Sequence, residues 1–81
     1  MTPKGKPDKT LHILSLSNTL RNLGSSGYEF TIRVKFRRGG QVTPTVNYES
    51  ARATTPLNAR TIAAERLLGW LEREVNQNHD Q

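Results

Sequence analysis

Residues 28–48 read YEFTIRVKFRRGGQVTPTVNY, and the register of this stretch decides the fold. From Phe30 to Phe36 every second residue is apolar, with Thr31, Arg33 and Lys35 between them and Arg37 directly after. Period-two alternation marks a strand with one buried face. A second alternating run, Val42, Pro44, Val46 and Tyr48, follows RRGG, so the two runs read as a β-hairpin. A turn of Gly39–Gly40 alone would set Arg37 opposite Val42, a cation against a core residue. A loop of Arg38, Gly39 and Gly40 instead pairs Phe36 with Val42, Val34 with Pro44, Ile32 with Val46 and Phe30 with Tyr48. The second register keeps the apolar residues on one side and is the one expected. Pro44 cannot donate to a ladder, which makes the second strand an edge along at least part of its length.

In that register the opposite face carries Thr31, Arg33, Lys35 and Arg37, facing Gln41, Thr43, Thr45 and Asn47. Such a face either meets water or meets something negatively charged.

Working outward, residues 49–54 (ESARAT) are a candidate third strand. Thr55 and Pro56 then suit the N-cap and first position of a helix. Leu57, Ala64, Leu68, Leu71 and Val75, with Leu67 beside them, draw an apolar stripe expected to pack on the hairpin. On the other side fall Ile62, Arg66 and Trp70, with Trp70 placed to stack under Arg66; the face is read either as covered by the N-terminal segment or as a contact for a second copy or a protein partner. The rival functional class is accordingly a small protein-binding module, an inhibitor or adaptor, that uses this face or the edge strand around Pro44–Tyr48. Upstream, Ile13, Leu16, Leu20 and Leu23 follow 3–4–3 spacing, which predicts a short helix over residues 13–23 closed by Gly24. The alternating serines of KTLHILSLS support a strand instead. Residues 1–9 read as a disordered basic arm, 10–76 as a single domain and 77–81 as a frayed tail. The expected class is α+β: an antiparallel hairpin or three-stranded sheet on a long C-terminal helix, with a short N-terminal helix.

At 81 residues with 33% apolar content, one thin core is all the chain can build. No cysteine is present, so disulfides and thiolate metal sites are excluded, and no apolar run is long enough to span a membrane. An intracellular, cytoplasmic protein is expected. The net charge of +5 is unevenly spread: residues 1–60 hold ten Lys/Arg and three Asp/Glu (+7), residues 61–81 two and four (−2). A field of this kind attracts polyanions, nucleic acid first among them. The candidate contacts are Arg33, Lys35 and Arg37 on the strand, Arg38 as a cationic finger at the hairpin tip, and Arg52 and Arg60 at the helix start. Few aromatics remain outside the core to stack bases, so a duplex suits better than a single strand. His12 and His79 lie far apart with no acid pair or nucleophile spaced around them, so neither an enzyme nor a cofactor site is expected.

The run ARTIAAERLLGWL (Ala59–Leu71) resembles the last helix of double-stranded RNA-binding domains, at Ala59, Arg60, Ala63, Ala64, Leu67, Leu68 and Leu71. FTIRVKF (Phe30–Phe36) is similar to that family's central strand. This resemblance implies RNA contact from the loops and the helix N-terminus, with Arg60 in the matching cationic position. A second, architectural likeness is to AP2-type and integrase-arm DNA-binding modules, which lay the polar face of a helix-backed sheet into the major groove. That likeness implies contact through Arg33, Lys35 and Arg37.

Overall fold

The computed structural model describes residues 10–79. Its elements are β1 (Leu11–Asn22), β2 (Tyr28–Arg38), β3 (Thr45–Ala53) and α1 (Pro56–His79), with one 3₁₀ turn at Gly24–Ser26. The strands form a single antiparallel sheet in the order β1-β2-β3. One face is covered by α1, mainly over β2 and β3. The class is therefore α+β in two layers, as the alternation of Phe30–Phe36 demands.

Central strand β2 supplies most of the core. Phe30, Ile32, Val34 and Phe36 are buried, and each contributes roughly 2 kcal/mol by leaving water. Against them α1 places Ala59 and Ala63, neither with any exposed surface, and β3 places Ala51. Alanines at these levels let the helix backbone approach the sheet closely. Farther along, Trp70 fills the wider gap, its ring edge-on to Phe36 with centroids 5.0 Å apart. The entry to α1 is as the sequence predicts: Thr55 Oγ1 accepts from the Asn58 amide at 3.2 Å, with Pro56 at the first helical position.

Three expectations are corrected. Residues 13–23 do not form a helix; they lie in β1 and the start of the following turn. A bulge between Ile13 and Ser15 leaves Leu14 as the extra residue, so the side facing α1 passes from Ile13 to Leu16 and then Leu20. That change of parity mimics the spacing of a helical turn. The order is thus β-β-β-α, and residues 49–53 continue β3 rather than adding a strand.

The hairpin register also differs. Phe36 pairs with Thr45, Val34 with Asn47, Ile32 with Glu49 and Phe30 with Ala51. Residues 39–44 form the loop, closed by the Gln41 amide donating to the Arg38 carbonyl at 2.8 Å, with Gly39 at φ 45°. The loop leaves Val42 in water, and Pro44 lies outside the ladder that it cannot serve. What the observed register gains is Ala51 opposite Phe30, beneath Ala59 and Ala63; an aromatic Tyr48 there would hold the helix off.

The helix face is the third correction. Of the expected stripe Leu67 and Leu71 pack against the core, but Leu57, Leu68 and Val75 are exposed, whereas Trp70 is in the core and Ile62 packs against it. Closeness of approach, not side-chain hydrophobicity, chooses the buried side. Trp70 therefore neither stacks under Arg66 nor offers a free surface, and Ile62, Arg66 and Trp70 do not form an exposed patch. Arg66 donates to the Ser50 carbonyl at 2.5 Å, occupying part of the outer edge of β3.

The basic arm expected over residues 1–9 lies outside the described residues. At the other end, α1 continues to His79. Among the described residues no helix is long and apolar enough to cross a membrane.

Candidate nucleic-acid interface

Because α1 covers only one face of the sheet, every residue of β2 between the core positions points to the other. Arg33, Lys35 and Arg37 lie there at two-residue intervals, about 7 Å apart. None of the three pairs with a carboxylate among the described residues. The Nε of Arg37 is shielded from water and makes no hydrogen bond.

Register fixes the neighbours in cross-strand rows. His12 of β1 stands opposite Arg37. Ser15, Lys35 and Val46 form the next row, then Ser17, Arg33 and Tyr48. Thr19, Thr31 and Ser50 follow, with the Thr31 and Ser50 hydroxyls 2.8 Å apart. The last row is Arg21, Glu29 and Arg52. Glu29 accepts from Arg21 at 2.8 Å and from Arg52 at 3.4 Å, so one carboxylate is shared by two flanking guanidinium groups. The face thus holds five cations (Arg21, Arg33, Lys35, Arg37, Arg52) against one anion, a balance of +4. The charge is graded: the Arg21–Glu29–Arg52 end is internally paired, and the Arg33–Lys35–Arg37 end is not. Uncommitted guanidinium and ammonium groups can donate to phosphate oxygens without first breaking an internal bond. Hydroxyls of Ser15 and Ser17 sit beside them as further donors.

The structure divides the six basic candidates. Arg33, Lys35, Arg37 and Arg52 share the open face. Arg38 does not act as a finger at the tip: it turns toward α1, where its guanidinium pairs with the Glu74 carboxylate and donates to the Glu74 carbonyl at 3.0 Å. Its position in β2 has core-side parity, which sends the side chain to the helix layer. Arg60 is also on the helix layer, its guanidinium 5.7 Å from the Phe30 ring centre, and does not join the sheet cations. Gln41 and Thr43, expected beside the cations, belong to the loop, and Thr45 and Asn47 lie on the helix side.

Contributions from two strands were not expected from the sequence. Arg21 and the serines of β1 reach the face only because residues 11–22 form a strand. Tyr48, expected in the core, is 61% exposed and stands beside Arg33 on the open face. The signal for Tyr48 lay in Ala51 and Ala53, the small residues of opposite parity to Tyr48 that a close helix requires.

Comparison with known protein families, curated proteins and solved structures finds no match to this chain.

Proposed function

We propose that this is a small, non-enzymatic nucleic-acid-binding protein of regulatory or accessory type, which engages duplex DNA or RNA through the open face of its sheet. The carrying observation is the row Arg33–Lys35–Arg37, outward and without carboxylate partners among the described residues. Binding on this reading is mostly electrostatic, with phosphates taken up in place of counterions, so affinity falls steeply with salt. Hydroxyls of Ser15, Ser17 and Thr19, together with Tyr48, supply contacts to sugar and base edges. One exposed aromatic ring is too small a platform for stacking successive bases, which favours duplex over single strand. The helix-backed sheet agrees with the likeness to groove-binding sheet modules. By contrast, the site implied by the double-stranded RNA-binding likeness retains only Arg60, which sits over Phe30 on the far layer. A nucleic-acid partner of this kind would place the protein inside the cell.

The test is titration of the full chain with labelled duplex DNA, duplex RNA and single-stranded DNA at low and moderate salt. Duplex binding that weakens as salt rises is expected. No binding to any of them at low salt would dismiss the proposal.

A further inference from the structure

The two edges of the sheet are built differently. Along β3, Glu49 and Arg52 place charge on the strand, and Arg66 occupies the Ser50 carbonyl. Those are the usual devices that stop another strand from adding to an edge. Edge strand β1 has almost none of them. From Leu11 to Leu20 it contains no Lys, Arg, Asp, Glu or Pro, and its single charged residue, Arg21, is already paired with Glu29.

The helix-side surface of β1 is also uncovered. Leu16 is 55% exposed, and Ile13 and Leu20 are exposed with it, because α1 lies over β2 and β3 and barely reaches β1. On α1, Ile62, Arg66, Gly69 and Arg73 border a cleft with Glu49 of β3. At 100° per residue the flank toward β1 then carries Leu67 and Leu71, with Arg60 between them, while Leu68 and Val75 point away from the sheet. Leu67 and Leu71 are half-buried there, at the margin of the core, and Leu71 also borders a shallow groove that runs over the outer side of α1. An apolar strand edge and an apolar helix flank meet at one open corner of a domain whose core is thin.

We infer that this corner receives a second copy of the chain, β1 pairing antiparallel with β1 of its partner about a two-fold axis at Asn18. Directly opposed residues of an antiparallel pair share a face, so self-pairing must centre on a single residue. Centred on Asn18, Leu16 of each copy meets Leu20 of the other, and the two Asn18 side chains meet each other. On the open face Ser17 meets Thr19 and Ser15 meets Arg21. Centring on Ser17 would set Leu16 against Asn18. Centred on Leu16, that residue would meet its own copy but Leu20 would be lost to His12; of the three registers the Asn18 one alone gives both Leu16 and Leu20 a leucine partner, and it keeps the arginines apart.

The bulge agrees with it. Regular pairing geometry begins at Ser15, whose mate in this register is Arg21, so the bulge-free run Ser15–Arg21 is symmetric about Asn18 and about 24 Å long. Charge selects the same contact: copies with a net charge of +5 repel except through a segment that carries almost none. The axis stands perpendicular to the sheet, giving six continuous strands with both helices on one side. Pairing through β1 leaves β3 at each outer edge, where the strand is protected, so assembly stops at two. This inference stands on β1 and the α1 flank and is independent of the nucleic-acid reading.

The test is sedimentation velocity on the full chain, with designed edge variants and a cysteine probe. The wild type is expected to sediment at twice its 9.1 kDa chain mass at tens of micromolar. A Leu16→Lys/Leu20→Lys chain and a Leu16→Glu/Leu20→Glu chain should each be monomeric and combine one to one on mixing. Because the chain lacks cysteine, Asn18→Cys provides one thiol placed against its own copy, and it should form a disulfide dimer at least tenfold faster than Asn58→Cys on exposed α1. The cysteine arm decides the matter even if the charged variants fail to fold. A wild-type mass of one chain, open-ended assemblies, or equal crosslinking rates for the two cysteines would each overturn the inference.

Discussion

Replacing Arg33, Lys35 and Arg37 together with Ala should abolish most of the affinity for duplex while leaving the domain folded. The three side chains point away from the core and have no carboxylate partner among the described residues, so their loss should change stability by no more than about 0.5 kcal/mol. If each contacts one phosphate, each contributes ~0.9 to the slope of log K against log salt, or ~2.7 for the three. At 0.1 M salt the same ~2.7 decades appear as a loss of roughly 500-fold in affinity. Fluorescence anisotropy with a labelled duplex over a salt series reads both quantities, and thermal unfolding by circular dichroism checks the fold. The paired control is Arg60→Ala, which should leave slope and affinity within about twofold of wild type because that side chain sits on the helix layer. An unchanged slope in the triple variant would refute the assignment of the open face, and a large effect from Arg60→Ala would move the site to the start of α1.

Trp70→Ala empties the space against Phe36 and should cost about 3–5 kcal/mol, enough to remove cooperative melting in so small a domain, whereas Leu57→Gln on exposed α1 should leave the melting temperature nearly unchanged. Gly27→Ala should destabilise by roughly 2 kcal/mol or more, since φ is 94° and a Cβ would lie 2.4 Å from the Ala53 carbonyl oxygen, whereas Gly40→Ala, with open space around it, should be nearly neutral in the same melt. Glu74→Gln removes the carboxylate that receives Arg38 at a half-buried site and should lower stability by about 1–3 kcal/mol in urea titration while leaving duplex affinity in place. Equal melts for the Trp70 and Leu57 variants would contradict the helix face described here.

The central strand and the opening of the long helix were readable from sequence because each depends on a local rule. Phe30–Phe36 alternates without interruption, and Thr55–Pro56 carries cap and first-turn chemistry within adjacent residues. The rest depends on relations between distant residues. In β1 a single bulged Leu14 changes which parity faces the helix, so Leu16 follows Ile13 at an offset of three and a strand imitates a helix. In β3 the apolar Val46 and Tyr48 claimed the core by composition. The winning register instead set Ala51 under Ala59 and Ala63, a choice made by the distance between layers. The same closeness turned Leu57 and Leu68 outward and Trp70 inward, with Leu67 and Leu71 half-buried at the margin of the core. For the candidate site, Arg33, Lys35 and Arg37 followed from the strand alternation alone. Their neighbours did not, because each comes from a strand whose register no local pattern fixes.

The most direct measurement is two-dimensional NMR of the side-chain Nε–H groups of the arginines during titration with a short DNA duplex. Arg33 and Arg37 should shift or broaden first, together with the Tyr48 ring, while Arg38, held by Glu74, and Arg60, over Phe30, stay in place. Perturbation confined to Arg60 and Arg66 on α1, with Arg33 and Arg37 unmoved at saturating duplex, would contradict the account.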